Sequence, residues 1–395
     1  MLFKKKKSII PKMIITTTEE LINLCDELKK EDFITLDTEF IREKTYYPEL
    51  CLIQIAGLHV EACIDALSEG LDLTALFELL QNPSVVKVFH AAHQDVEIFF
   101  HMTGKIPHPL FDTQVAAMVC GYGENVGYQQ LVHDIVGVSL DKSMRFTDWK
   151  RRPLNKAQID YALRDVTYLR DIYLAFHQKL KETGREHWLS QELEIQNNPK
   201  TYETDDNEVW RKIKIPFKKP LQAHIFAKLC AWRERTAKVK NIPRKYVVKD
   251  DALIELAVVC PTSVKEMDSC RNLSKGFAKN AMGIEILSVI QAAMSDTPDC
   301  YPENWKPKKP LTATQHTLVE LFRLLLSIQC ASFGVAPKIV ASTEELQKLA
   351  CGDNDVACLT GWRQEIFGEK ALLFRQGKIS FCFNPKTHQP ELKEC

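Results

Sequence analysis

Phe33-Ile34-Thr35-Leu36-Asp37-Thr38-Glu39 sets an apolar run rich in β-formers directly before two carboxylates. The period of two in a strand puts Asp37 and Glu39 on the same face. Two carboxylates side by side repel. An α/β fold tolerates such a pair mainly when hard cations neutralise it, because Mg²⁺ and Mn²⁺ favour carboxylate and water oxygens. The D-x-E pattern recurs by chance, so its weight depends on what surrounds it. Cys51-Leu-Ile-Gln-Ile55 and Val85-Val-Lys-Val-Phe89 read as further short strands. Helical spacing lies between Thr18 and Leu28, Leu73 and Leu80, and Asp95 and His101. The alternation predicts an α/β domain over residues 14–195.

Two more acids stand where chemistry is possible. His90-Ala-Ala-His-Gln-Asp95 follows the third strand, which puts Asp95 at or near a helix start, where Asp also serves as an N-cap. His90 and His93 read as structural or supporting residues. Tyr161-Ala-Leu-Arg-Asp165 lies among good helix formers, and its i,i+4 spacing sets phenol and carboxylate one turn apart on one face. Taken singly, Asp95 reads better as a cap, and Tyr161 with Asp165 as a surface or core tyrosine beside a solvated acid.

Beyond residue 195 the strand signals fade. Asn197-Asn-Pro-Lys and Thr204-Asp-Asp-Asn suit a linker over 196–219. Apolar positions then recur at helical spacing over 220–296 (Ile225, Leu229, Trp232; Leu253, Leu256, Ala257), predicting a compact all-α unit. Four prolines between Asp296 and Pro310 break the pattern. Helical periodicity resumes at Leu311, and a third helical unit is assigned to 311–395. Residues 1–13 are expected to be an N-terminal extension, with Met13 an alternative start.

The chain of 395 residues, 45% hydrophobic and 26% charged, lies in the ordinary globular range, so neither global disorder nor a fibre is supported. Thirteen cysteines are scattered without a C-x-x-C pair, which fits core thiols in a reducing cytosol and neither a disulfide framework nor a zinc module. There is no apolar run of spanning length, and the expected location is the cytoplasm. Basic and acidic residues balance at 52 each, so polyanion binding has to come from local asymmetry. From Arg211 to Lys249 there are thirteen Lys or Arg against the single acid Glu234.

The order and spacing of Asp37, Glu39, Asp95, Tyr161 and Asp165 resemble the DEDDy class of 3′→5′ exonucleases, and the likeness to bacterial ribonuclease D extends further. It includes Leu36-Asp-Thr-Glu-Phe-Ile-Arg42, Thr45-Tyr-Tyr-Pro48, Leu52-Ile-Gln54, Asp112-Thr-Gln114, Leu140-Asp-Lys-Ser143, Thr147-Asp-Trp149 and Arg152-Pro-Leu154. Residues 221–293 resemble the HRDC domain, and 311–395 the second, more divergent HRDC-like unit of the same family. The implied fold is an α/β ribonuclease H-like exonuclease domain, a mixed sheet flanked by helices, followed by two all-α HRDC-type domains. Removing residues 200–395 is expected to leave a folded exonuclease domain that binds structured RNA less well, since the basic Arg211–Lys249 stretch goes with the helical units.

The resemblance implies that Asp37, Glu39, Asp95 and Asp165 hold two divalent ions, Mg²⁺ or Mn²⁺, and that Tyr161 orients or helps deprotonate a water. The product would be a nucleoside 5′-monophosphate, and the partner an RNA with a free 3′ end, with transfer RNA precursors implied; a monomer is the family default. Asp112 reads as a helix cap or support. Lys142, Lys150, Arg151 and Arg152, near Phe146 and Trp149, suit phosphate contact and base stacking, and Phe40 suits packing on the terminal nucleotide. Leu273-Ser-Lys-Gly276 and Asn280-Ala-Met-Gly283 could offer amides to phosphate or be helix punctuation. Two other functions are compatible with these residues: a DNA-directed exonuclease, and a non-catalytic RNA-binding scaffold.

Overall fold

The computed structural model describes residues 13–141, 144, 147–302, 305 and 310–395. The chain divides into two units, one of residues 13–39, 51–198 and 310–395, the other of residues 40–50 and 199–309.

In the first unit the strands β1 (Met13–Ile15), β2 (Phe33–Ile41), β3 (Glu49–Ala56), β4 (Glu61–Ile64), β5 (Val86–Phe89) and β6 (Leu110–Asp112) form one sheet in the order β1-β4-β3-β2-β5-β6. The sheet is mixed. β2 with β5, β5 with β6 and β1 with β4 are parallel, while β3 and β4 are antiparallel. Helices α1 (Thr18–Leu28), α2 (Thr74–Leu80), α3 (His93–Thr103), α4 (Thr113–Val119), α5 (Tyr128–Leu131), α6 (Lys156–Thr183) and α7 (Glu186–Gln196) complete the α/β part. Capping boxes start α1 at Thr17 with Glu20 and α6 at Asn155 with Gln158. Met13 belongs to the edge strand, so the extension expected over 1–13 is shorter by that residue; residues 1–12 lie outside the described ones.

The second unit is helical: α8 (Pro220–Lys240), α9 (Arg244–Val247), α10 (Asp250–Val259), α11 (Val264–Met267) and α12 (Ala281–Ser295). Its core gathers Phe226, Leu229, Trp232, Leu256 and Ile286, and takes in Tyr46 from the β2–β3 connection. The Tyr46 hydroxyl bonds the Glu234 carboxylate, and Asn241 Oδ1 accepts the amides of Tyr46 and Tyr47, each at 3.1 Å. At Gly283 an added Cβ would come 2.3 Å from the Phe277 carbonyl oxygen, and the Gly283 amide is taken by the Asn280 side chain at 2.9 Å. This glycine therefore closes a tight helix start, and its amide is already satisfied without a phosphate.

The C-terminal region corrects the expectation of a separate all-α unit in two ways. It contains α13 (Ala313–Phe333), α14 (Pro337–Val340), α15 (Thr343–Ala350) and helical residues 361–375, but ends in an antiparallel hairpin of β7 (Ile379–Asn384) and β8 (Gln389–Glu394). It also shares one hydrophobic core with the α/β elements: Phe322, Leu325, Trp362 and Phe367 cluster with Phe176, Trp188 and Leu189. Trp362 stacks on Trp188 with 4.7 Å between ring centroids, and Glu192 accepts from Trp362 Nε1 at 3.0 Å and from Arg363 Nη2 at 2.5 Å. The Gly121 and Gly334 backbones touch so closely that a Cβ on Gly121 would lie 2.4 Å from the Gly334 carbonyl oxygen. Removing this region would expose that core, which argues against the expectation that the exonuclease domain stays folded without residues 200–395. Among the described residues no helix is long and apolar enough to cross a membrane.

Candidate active site

The end of β2 carries Asp37 and Glu39, and α6 carries Tyr161 and Asp165. Strand and helix are tied by Thr35, a buried residue whose hydroxyl donates to the Val166 carbonyl oxygen at 2.8 Å. This holds α6 against the strand that bears the acids. Carboxylate oxygens of Asp37, Glu39 and Asp165 all lie within 4.8 Å of one another. Alternation along the strand therefore brings the D-x-E pair onto one face as expected.

Asp95 stands outside that set of three. It is the third residue of α3, whose N-cap position is Ala92, so the capping alternative does not apply. Its carboxylate accepts the Thr38 hydroxyl at 2.5 Å, and the Asp37 charge acts on it. The loop before α3 is held by Asp112, which caps α4 through the Gln114 amide at 2.8 Å and also accepts the amides of Ala91 (3.0 Å) and Ala92 (2.9 Å). Asp112 is thus a cap and a support for the turn that delivers Asp95. His90 Nδ1 lies 3.0 Å from Thr113 Oγ1, again a structural contact.

Burial pushes the Asp37 carboxyl up to about 6. Burial and then the Asp37 charge push Asp95 and Asp165 well above the ordinary carboxylate range. No lysine or arginine among the described residues pairs with Asp37, Asp95 or Asp165. Clustered carboxylates that all offer oxygen donors fit hard divalent ions. The Tyr161 hydroxyl bonds Asp165, and burial followed by the charges of Asp165, Glu39 and Asp37 raises it above a tyrosine's usual value. It stays protonated at neutral pH.

Two neighbours carry no signal of their own in the sequence. Thr38, between the two acids, supplies the bond to Asp95. Tyr128 donates to the Arg164 carbonyl oxygen at 2.7 Å, and its hydroxyl is raised by burial and by the charges of Asp165 and Asp37, which places it beside the cluster. No spacing rule marks either residue; both are recognised by contact alone.

Residues 13–181 match the 3′-5′ exonuclease family and residues 222–290 match the HRDC domain. The ribonuclease D of Nitrobacter hamburgensis is 43% identical over 93% of this chain and 96% of its own length. That of Bartonella henselae is 42% identical over 93% and 91%. The chain belongs to the ribonuclease D family. It is a nuclease of the hydrolase class, a 3′→5′ exoribonuclease. Among solved structures, Escherichia coli RNase D, described as an exoribonuclease involved in structured RNA processing, superimposes with a TM-score of 0.79 at 28% identity, covering 93% of this chain and 99% of that one.

Within this ribonuclease D the basic segment after the α5 region divides. Arg152 is committed within the protein: all of its N–H groups are engaged. Nε and Nη2 grip Asp65 at 2.7 and 2.6 Å, Nη2 also reaches the Cys51 carbonyl at 2.8 Å, and Nη1 donates to Trp149 and Arg151 carbonyls at 2.7 and 3.1 Å. Trp149 is likewise no stacking platform, being 4% exposed with its ring 6.1 Å from that of Tyr161. Lys150 and Arg151 are exposed. Phe40 is half-buried in β2. Lys142 and Phe146 lie outside the described residues.

Proposed function

We propose that this ribonuclease D removes nucleotides one at a time from RNA 3′ ends, releasing nucleoside 5′-monophosphates, with transfer RNA precursors and other small structured RNAs as substrates. Asp37, Glu39, Asp95 and Asp165 hold two divalent ions, Mg²⁺ or Mn²⁺. The observation that carries this reading is the convergence of three carboxylates within 4.8 Å, with the Tyr161 hydroxyl bonded to one of them. When bound, such ions lower the pKa of a water and neutralise charge on the leaving oxygen. Tyr161, protonated and fixed through Asp165, orients the attacking water rather than taking its proton. Thr38 aims the Asp95 carboxylate. Phe40 packs on the terminal nucleotide, and Lys142, Lys150 and Arg151 contact phosphates. The enzyme acts as a monomer in the cytoplasm.

The C-terminal region is a divergent HRDC-like unit with an added hairpin. Supporting this is a repeated order of elements: a 21-residue helix ended by a left-handed residue, a four-residue helix, and a shorter helix occur as α8, α9 and α10 and again as α13, α14 and α15.

The test is incubation of the purified protein with a 3′-tailed RNA in Mg²⁺, Mn²⁺ or chelator, with identification of the released nucleotide. Matched 2′-OH and 2′-H strands separate RNA from DNA preference. Asp37→Asn and Asp165→Asn should abolish cleavage while folding and RNA binding persist. Turnover by either variant at the wild-type rate would remove these acids from the reaction.

A further inference from the structure

Gln54, within β3, is fully buried, and neither the nitrogen nor the oxygen of its side-chain amide finds a partner among the described residues. Buried polar groups in folded proteins are nearly always paired, and leaving both a donor and an acceptor unmade is costly. A residue that only fills the core has no need of an amide. Methionine or leucine would occupy a similar volume without that cost.

The place of Gln54 in the sheet sets it beside an acid. Residues directly opposite each other in an antiparallel pair point to the same face, and Gln54 lies opposite Cys63 as Ala56 lies opposite Glu61. Glu61 accepts the Thr167 hydroxyl at 3.1 Å and pairs with Arg170 at 3.5 Å, both on α6, so α6 covers this face. Alternation puts Cys63 on it with Glu61, and therefore Gln54. On β2 the same face carries Thr35, which donates to the Val166 carbonyl of α6, and so also Asp37 two positions on. β2 and β3 are neighbours in the sheet, and the connection 42–48 is too short for a parallel crossover, so they run antiparallel. The Thr35 hydroxyl reaches the Ala56 carbonyl oxygen at 3.2 Å, which sets these two residues side by side. Two steps forward from Thr35 and two back from Ala56 reach Asp37 and Gln54. The Cβ atoms of such opposed residues stand about 4.5–5.5 Å apart, within the span of a glutamine amide and a carboxylate. The Asp37 carboxylate takes the backbone amide of Thr38, and no side chain among the described residues donates to it.

We propose that Gln54 is a positioning residue for Asp37: in the ion-loaded enzyme its Nε2 donates to the Asp37 carboxylate and holds it in the orientation that meets the ions. This role rests on Asp37 being a metal ligand, and it belongs to a residue that itself touches neither ion nor RNA. Ion binding keeps Asp37 a carboxylate, and an amide donates more strongly to a charged oxygen than to a neutral one. The cost of burying the amide is thus offset when the site is loaded.

The experiment compares the full chain with Gln54→Met and Gln54→Leu, which remove the amide and keep an apolar side chain of similar size. Mn²⁺ affinity is measured by calorimetry, the melting temperature in chelator, and kcat and KM on a labelled oligoribonucleotide. Mn²⁺ affinity should fall about tenfold or more and kcat with it, while KM changes little. The chelated variants should melt at or above the wild-type temperature, because two buried atoms without partners are gone. A residue that only supports the packing would give the reverse, a lower melting temperature at unchanged affinity. Mn²⁺ affinity within about twofold of wild type overturns the proposal. So does a loss of affinity accompanied by a fall in the melting temperature of the chelated protein, since Gln54 is then a packing support. If the methionine variant does not fold, the leucine variant carries the comparison, and failure of both to fold overturns the proposal as well. Asp37→Asn is run beside them. Wild-type Mn²⁺ binding by that variant refutes the assignment of the acids to metal, whereas a loss there with none in Gln54→Met refutes only the role of Gln54.

Discussion

Thr38 donates its hydroxyl to the Asp95 carboxylate at 2.5 Å, so the strand that carries Asp37 and Glu39 also aims the acid delivered by α3. Thr38→Val keeps the shape and removes the donor. Because groups that orient a metal-binding carboxylate are worth roughly 10–100-fold in affinity or activity, single-turnover cleavage should fall on that scale. Calorimetric Mn²⁺ affinity should fall with it, and Thr38→Ser should restore both. Wild-type behaviour of the valine variant would make the bond incidental.

Tyr161→Phe should lower kcat far more than it raises KM. The ring still packs on α6 beside Trp149, while the hydroxyl bonded to Asp165 is removed. A drop of about 100-fold or more in single-turnover cleavage is the scale of an orienting or acid–base group. A change within about twofold assigns Tyr161 to structure alone.

Metal-free protein should lose stability as pH rises. Asp37 titrates near 6 when folded and Asp95 and Asp165 are shifted upward too, all above their ordinary unfolded values. The native state therefore holds more protons than the unfolded chain between about pH 4 and 6, and its advantage is complete below that window and lost as pH climbs through it. Melting temperatures across this range with chelator should fall toward high pH. With Mn²⁺ the trend should flatten, because the ion replaces the protons. A chelated protein whose melting temperature rises between about pH 5 and 7 contradicts the assignment.

Arg152→Ala should damage folding rather than RNA affinity. It leaves the 8%-exposed Asp65 without its guanidinium and removes the donor to the carbonyls of Cys51, Trp149 and Arg151. Breaking a pair this enclosed costs about 3 kcal/mol. Urea unfolding measures that cost, and RNA titration of the folded fraction should match wild type. Arg151→Ala should show the opposite pattern, weaker RNA binding at unchanged stability.

A chain ending at residue 199 should aggregate or unfold. It would bare Trp188, on which Trp362 stacks, and strand Tyr46 without the core of the second unit. Sedimentation and near-ultraviolet circular dichroism would show this. A monomeric, cooperatively melting fragment would mean that the shared core is dispensable.

Local chemistry made much of this protein legible from its sequence. The acids sit at fixed offsets from strands and helices whose periods of two and about 3.6 set the face of each side chain, so Asp37 with Glu39 and Tyr161 with Asp165 could be paired before any tertiary contact was known. Helices α1, α2 and α3 were readable for the same reason. The strands β1, β4 and β6 were not: each is only three or four residues long and, unlike Val86–Phe89, none stands in a longer run rich in β-formers. The Arg152–Asp65 pair spans 87 positions, and the hydroxyl of Thr38 meets a carboxylate 57 positions on; no offset rule reaches so far. Only the folded chain decided that Arg152 is a structural pin and Trp149 a core residue, that the last region closes the core of the first, and that the buried Gln54 amide lacks a partner among the described residues. Local periodicity fixes which way a side chain points on its own element, whereas its partner depends on how distant elements pack.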